Sequence, residues 1–279
     1  MERITLFSPA KLNLFFRVLK KRDDGFHEIA SLMQAISLCD TLDFSLSDHD
    51  SLTCSDPAIP TDERNFIFKA RSLFRERTSF NSPISIHVKK EIPPEGGLGG
   101  GSGNIATTLF ALNRLSGLEI EEETLAKWGG ELSSDAPFFF SKGTAYATGR
   151  GEKVESLPAL PRKELYLVKP KGEGLSTPLV YKHCKVNVHS THPEKLLENA
   201  LGGHLNALND LEFPAFALRP ELKRIKETLL EVGFNLVAMT GSGTTFFCFG
   251  PQIAIPFDAW VTKTSFLSRK ENEWYVTNR

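Results

Sequence analysis

Between Pro93 and Asn104 the chain reads PPEGGLGGGSGN, with glycine at 96, 97, 99, 100, 101 and 103. Six of the chain's 21 glycines are gathered in that one run. Backbone N–H groups converge on an anion only where no Cβ stands in the way, and a helix N-terminus adds unpaired N–H groups and a favourable dipole. The run separates a strand-like ISIHVKK from a helical IATTLFALNRLSG. A polyphosphate cradle is the expected chemistry, and Ser102 would add a hydroxyl for a phosphate or for Mg²⁺. A flexible surface linker is the plainer reading, but a linker has no need of such a run directly before a strong helix.

Transfer of a phosphoryl group to an alcohol requires in-line positioning, charge neutralisation and a group to take the hydroxyl proton. Asp135, in SSDAPFFF, sits beside an apolar run that suits a general base; an ordinary N-cap or turn residue fits the same letters. Lys11 and Asn13, in PAKLNL, are two apart and share one strand face. A lysine on a strand edge would look the same. Phe26, His27 and Tyr181 form an aromatic set that reads equally as core packing. Thr240-Gly241-Ser242-Gly243 is either a hairpin turn or a second loop at the site.

Period-two and period-3.6 patterns supply the elements that must position these groups. ITLFSPAKLNLFFRVL predicts a strand or a pair of strands, followed by a polar turn at Lys20–Gly25, an apolar stretch and a further strand in TLDFSL. Helices are expected over Asn65–Arg75, from Asn104 to the stop at Gly117, and over EEETLAKWGGEL, whose first-turn acids suit the helix dipole. Strand signals return in FFFSKGTAYATG. A second unit begins near Glu164 with the strand ELYLVKP. Helices follow over Pro193–Leu201, Asn206–Phe216 and PELKRIKETLLEVG, then strands at LVAMT and TFFCF, with TSFL as a final edge. The class is α/β (α+β) in two halves, with domains expected over 1–155 and 156–279.

Composition narrows the partners. The chain has 279 residues, 33 basic and 34 acidic, for a formal net charge of −1. No basic surplus points to nucleic acid, and no apolar run approaches the roughly 20 residues of a bilayer span. No signal peptide precedes the first strand, so the cytoplasm is the expected compartment. The four cysteines show no CxxC spacing, and His183, His189 and His192 fall in a polar stretch without a carboxylate at ligand spacing. Structural thiols and a solvated loop are expected there.

The glycine run lacks the terminal Gly-Lys-Ser/Thr of the common P-loop. Gly101, Gly103 and Ala106 satisfy a dinucleotide fingerprint, so a dinucleotide-binding oxidoreductase is an alternative; the match means little in a run so rich in glycine. The loop instead resembles the second motif of the GHMP small-molecule kinases. ERNFIFKA, LSSDAPFFF, GTAYATGRGE, STPLVY, LNDLE and MTGSGTTFF fit the same family in order, from about Ser8 to Phe249. The AKLNL start with the GFHEI block is similar to one branch, whose acceptor alcohol carries a cytidine diphosphate.

The resemblance implies a two-domain GHMP kinase fold, with an N-terminal ribosomal-protein-S5-like domain and a C-terminal ferredoxin-like domain. It implies an enzyme that takes ATP with Mg²⁺ and a small cytidine-diphosphate substrate, without nucleic acid or membrane, as a monomer or weak homodimer. Lys11 and Asp135 take the catalytic positions. ATP would be held by Pro93, Pro94, Glu95, Gly96, Gly97, Leu98, Gly99, Gly100, Gly101, Ser102 and Gly103, with Asn65 and Lys90 near the adenine and Ser102 on the metal. Asn13, Phe26, His27, Thr177, Tyr181, Thr240 and Gly241 take the substrate positions, Phe26 and Tyr181 sandwiching the cytosine. Four departures stand out: Glu95 replaces a glycine, Gly103 a frequent serine, Phe26 a common tyrosine, and Ser133-Ser134 a small Gly/Ala pair. A non-catalytic member of the superfamily is the remaining alternative, and retention of Lys11 and Asp135 argues against it.

Overall fold

Strand β1 (Arg3–Lys21) is buried continuously from Ser8 to Val18, which means both of its faces are covered. It pairs antiparallel along its whole length with β2 (His27–Leu46), a single 20-residue strand that absorbs both the apolar stretch and TLDFSL. The computed structural model describes residues 3–172, 174–186, 190–252 and 254–276, so His189 lies outside it. β2 also carries β4 (Ile84–Lys89) on its C-terminal half and β5 (Thr144–Thr148) on its N-terminal half, both antiparallel. β3 (Ser51–Cys54) pairs parallel with β4, and β6 (Lys153–Ser156) closes the other edge. Register shifts at Pro9/Ala10, Asn13/Phe15 and Val18/Lys20 bend β1 where its polar residues lie.

One face of this sheet is covered by α1 (Phe66–Arg77), α2 (Gly100–Ser116) and α3 (Glu122–Leu132), with Phe44, Ile86, Phe74, Ile105 and Leu109 in the shared core. The other face meets a second antiparallel sheet of order β10-β7-β9-β8, formed by β7 (Glu164–Pro170), β8 (Leu236–Met239), β9 (Phe246–Phe249) and β10 (Ala259–Ser265). Leu12, Leu14 and Phe15 pack there against Leu165, Leu167 and Phe247. The outer face of the second sheet carries α6 (Glu212–Leu218) and α7 (Pro220–Glu231), while α4 (Thr177–Lys182) and α5 (Pro193–Leu201) lie between the two halves of the chain.

Three elements differ from the sequence expectation, each for a local reason. α2 begins at Gly100 rather than Asn104, so half of the glycine run is helix. Ala136–Phe140 forms a 3₁₀ turn rather than a strand; Pro137 cannot donate to a ladder, and Phe138 and Phe139 bury instead. The helix expected from Asn206 starts only at Glu212. Leu208 and Asp210 pair with the backbone of β1, Phe16 donating to Leu208 O at 2.7 Å and Asp210 donating to Phe16 O at 2.8 Å.

That crossing is fixed by a buried ion pair. Arg17 Nε meets Asp210 Oδ2 at 3.0 Å, and the same oxygen accepts the Val18 amide at 2.7 Å. Both side chains are almost wholly buried. Asp210→Ala would leave the guanidinium buried without its carboxylate and cost about 3–5 kcal/mol. The expected result is a large drop in the urea unfolding midpoint; an unchanged midpoint would refute the role assigned to this pair.

Candidate functional site

The principal cleft has a volume of ≈ 1090 Å³ and runs from Phe66 and the glycine loop, past Lys11 and Asp135, to Phe26 and Tyr181. At the Phe66 end, the N–H groups of Gly100, Gly101 and Ser102 precede the first helical bond of α2, which Gly103 donates to Gly99 O at 2.9 Å. They are the unpaired donors of a helix N-terminus, and residues 100–102 line the cleft. The loop lies on β1, where the Lys11 amide donates to Leu98 O at 2.9 Å. Gly97, at φ +73°, passes so close to Thr240 that an added Cβ would lie 2.2 Å from its carbonyl oxygen.

Asp40 pins both ends of this loop. Its fully buried carboxylate accepts from the amides of Glu91 and Ile92 at 2.8 and 2.9 Å, from Asn104 Nδ2 at 3.2 Å, and pairs with Lys90 Nζ at 3.0 Å. Lys90 also donates to the Ile92 carbonyl, so its charge is committed to the loop even though the residue borders the cleft. Asn65 is likewise occupied: Oδ1 caps α1 through the Ile67 amide at 2.9 Å, and Nδ2 donates to Pro60 O. The neighbouring apolar wall comes from Ile59, Pro60 and the exposed ring of Phe66.

At the centre, Lys11 Nζ sits 3.1 Å from Asp135 Oδ2 and donates to Asn13 Oδ1 at 2.6 Å. Asn13 Nδ2 donates to Ser31 Oγ at 2.8 Å, and Ser31 donates to Phe15 O. The amine is therefore held by a chain of buried hydrogen bonds rooted in β1 and β2. Lys11 is 5% exposed, whereas Asp135 is 36% exposed and opens to the cleft. Asp135 does occupy the N-cap position of the 3₁₀ turn, yet its side chain makes no capping bond. Ser102 and Ser133 place their hydroxyls 2.7 Å apart beside it on the cleft wall.

At the far end, the His27 and Tyr181 rings stack with centroids 5.3 Å apart. Burial, followed by the charge of Lys21, holds the His27 imidazole below its ordinary protonation range. Burial and then the Asp135 charge push the Tyr181 phenol well above its usual value. Phe26 is 52% exposed, and the Arg150 guanidinium lies 4.8 Å from its ring centroid. Thr177 Oγ1 contacts Ser242 Oγ at 2.8 Å, joining α4 to the last glycine motif.

All the expected site residues border the cleft except Gly103 and Thr240. Gly103 lies beneath β1, where an added Cβ would come within 2.9 Å of Pro9 O and Ser8 Oγ. Thr240 is buried; its hydroxyl accepts from the Asn13 amide at 3.1 Å and donates to Gly97 O. Both residues shape the wall from behind. Glu95 is exposed at φ 52° and packs against Gly174. Asp40, Ser31, Phe66 and Arg150 escaped the sequence reading. Arg150 carried a signal as the cation inside GTAYATGRGE, and Phe66 lies inside ERNFIFKA.

Residues 65–143 match the GHMP kinases N terminal domain and residues 192–254 the GHMP kinases C terminal domain. A 4-diphosphocytidyl-2-C-methyl-D-erythritol kinase of Protochlamydia amoebophila is 49% identical over 278 residues, covering 99% of this chain and 94% of that one. The chloroplastic/chromoplastic enzyme of that name from Solanum lycopersicum is 43% identical over 296 residues, with 99% and 74% covered. A crystal structure of a 4-(cytidine 5'-diphospho)-2C-methyl-D-erythritol kinase superposes with a TM-score of 0.79 at 30% identity, covering 94% of this chain and 99% of that one. The chain belongs to this family of GHMP kinases.

It is a small-molecule kinase with ATP as co-substrate, and the oxidoreductase alternative is not favoured. Among the described residues no helix is long and apolar enough to cross a membrane. The tight passage of Gly97 beneath Thr240 fixes the path of the glycine loop. Gly97→Ala puts a Cβ into both a left-handed conformation and a carbonyl oxygen. A rise of about tenfold or more in the KM for ATP is expected, from a strain of about 1–2 kcal/mol in the backbone alone. Steady-state kinetics at varied ATP would read it, and an unchanged KM would show that the loop tolerates a shift there.

Proposed function

We propose that this kinase transfers the γ-phosphate of ATP to the 2-hydroxyl of 4-diphosphocytidyl-2-C-methyl-D-erythritol, a step of non-mevalonate isoprenoid precursor synthesis. The observation that carries the reading is the Lys11–Asp135 pair, 3.1 Å apart, standing between an anion-binding helix N-terminus and an aromatic recess. The two halves, divided near residue 155, would each supply part of that cleft.

In this reading the phosphates lie on the N–H groups of Gly100, Gly101 and Ser102, with the remainder of the glycine run shaping the floor. The adenine lies toward Phe66, Asn65 and Pro60. Asp135 accepts the proton of the acceptor hydroxyl as its oxygen attacks the γ-phosphorus; the bond to the β–γ bridging oxygen breaks and ADP leaves. Lys11 holds Asp135 and the incoming oxygen in line, and Asn13 fixes the amine and orients the acceptor diol. Phe26 and Tyr181 take the faces of the cytosine, and neutral His27 hydrogen-bonds its edge. Thr177 and Gly241 bound the acceptor side.

Among the described residues no three His, Cys, Asp or Glu side chains cluster to hold a metal. That suits Mg²⁺, which is commonly carried by substrate phosphates and water with one or two protein oxygens. The Ser102 hydroxyl, paired with Ser133 at the cleft wall, fits such a role. When bound, the ion would neutralise phosphate charge.

Asp135→Asn and Lys11→Ala should each lower kcat by about 10²–10⁴-fold while leaving ATP binding in place. A coupled ADP-release assay would compare the cytidine-diphosphate acceptor with mevalonate, homoserine and galactose. Turnover of any of the other three in preference overturns the acceptor assignment, and near-native turnover by Asp135→Asn overturns the base.

His27 gives a pH prediction. Its protonation midpoint lies below 6.5 because burial disfavours the charged ring, so the neutral form prevails throughout the neutral range. A depressed histidine pKa stabilises the folded chain fully above that ordinary value and loses the contribution as pH falls below it. The KM for the acceptor should therefore hold steady above pH 6.5 and rise below the folded midpoint. A KM rising instead toward alkaline pH would contradict a neutral imidazole.

A further inference from the structure

An acceptor with cytosine at one end and its reacting hydroxyl at the other must pass its diphosphate between the aromatic recess and Asp135. Two negative charges need a cation along that path. Three of the six lysine and arginine side chains lining the cleft are already engaged. Lys11 is held by Asp135 and Asn13, Lys90 by Asp40 and the Ile92 carbonyl, and Arg64 by a two-oxygen grip from Asp62. Lys21 and Lys182 stand on flexible stems at the exposed rim.

Arg150 is different. Its guanidinium makes no hydrogen bond among those found in the described residues; of its acidic neighbours, Glu152 stands 4.0 Å away and Asp24 feels its charge. Its turn is nonetheless firmly placed. The Gly149 amide donates to Glu28 Oε1 at 3.2 Å, the Ile29 amide donates to Gly149 O at 2.8 Å, and the Arg150 amide donates to Glu152 Oε2 at 2.6 Å. Glu28 is in turn gripped by Arg22, which also holds Asp24, and Asp24 accepts the amide of Phe26. One network thus fixes both the Phe26 platform and the arginine above it.

The same turn reaches the reaction centre. A Cβ at Gly151 would lie 3.7 Å from Asp135 Oδ1 and 3.8 Å from Ser134 Cβ. Arg150 therefore stands between the base platform and the reacting carboxylate. With its central carbon over the Phe26 ring and no hydrogen bond made among the described residues, the guanidinium has N–H groups to form a paired grip on phosphate oxygens.

We propose that Arg150 binds the diphosphate of the acceptor, clamping the span between cytosine and the reacting alcohol. The proposal rests on the acceptor assigned above. It makes Arg150 a substrate-binding residue that discriminates a nucleoside diphosphate from the bare nucleoside.

The test uses the full-length chain, with calorimetric binding of CDP and of cytidine to the wild type, Arg150→Ala, Arg150→Gln and Arg150→Lys. Loss of a charge-assisted hydrogen-bonded contact should weaken CDP by about 10–100-fold in the alanine and glutamine variants. Cytidine binding and the KM for ATP should hold, and lysine should recover only part of the loss because it lacks the planar fork. Equal weakening of CDP and cytidine would mean that Arg150 acts only through Phe26, and would overturn the proposal; so would unchanged CDP affinity. If the wild type binds CDP but does not phosphorylate the proposed acceptor, the function assigned above fails while the diphosphate contact stands. If the wild type binds neither ligand, both fall.

Discussion

A fully buried carboxylate gathers the glycine-loop end of this molecule. Asp40 lies in the middle of the longest strand pair and accepts donors from Lys90, Glu91, Ile92 and Asn104, residues on both sides of the glycine run. A buried charge is costly unless every lone pair is met, so the four donors and the carboxylate fix one another. The loop between them is then short of freedom at both ends. Its exposed N–H groups face the cleft because its closed side is pressed on β1 and beneath Thr240.

That constraint explains why glycines do two jobs here. Gly100 and Gly101 belong to the helix N-terminus that lines the cleft, while Gly97 and Gly103 allow backbone and strand to approach where no Cβ fits. Thr240 and Gly103, which sit behind the wall, are part of this close packing. The central pair follows from the same geometry. Lys11 emerges from β1 beside Leu98, and Asn13, Ser31 and Phe15 hold it against Asp135. Asp135 is both the first residue of a turn and an open carboxylate, so the two readings its sequence context allowed hold together.

The last residues show how local letters mislead. Trp274 and Tyr275 carry little pattern, yet they return to the first sheet and pack with Phe110, Phe138 and Phe139. Arg269, almost completely buried, donates to the carbonyls of Ser141 and Phe140 and pairs with Glu122. The C-terminal tail thereby holds the turn that follows Asp135. In the same way, the contact of residues 208–210 with β1 cuts short a helix that periodicity would extend, because tertiary pairing outweighs a weak local preference.

By itself the sequence determined the strands and helices that carry strong periodicity, the helix stop at Gly117, the glycine run and the candidates Lys11, Asn13 and Asp135. These depend on spacing and backbone preference, which are local and therefore written in neighbouring letters. Only the tertiary structure decided that Asp40 anchors the loop, that Lys90 and Asn65 are committed to structural bonds, that Tyr181 stacks on His27, and that Arg150 faces Phe26 beside Asp135. Those outcomes join residues far apart in the chain. A buried charge or an open cleft exists only once separate segments have excluded water together, and no single segment records which partner it will meet.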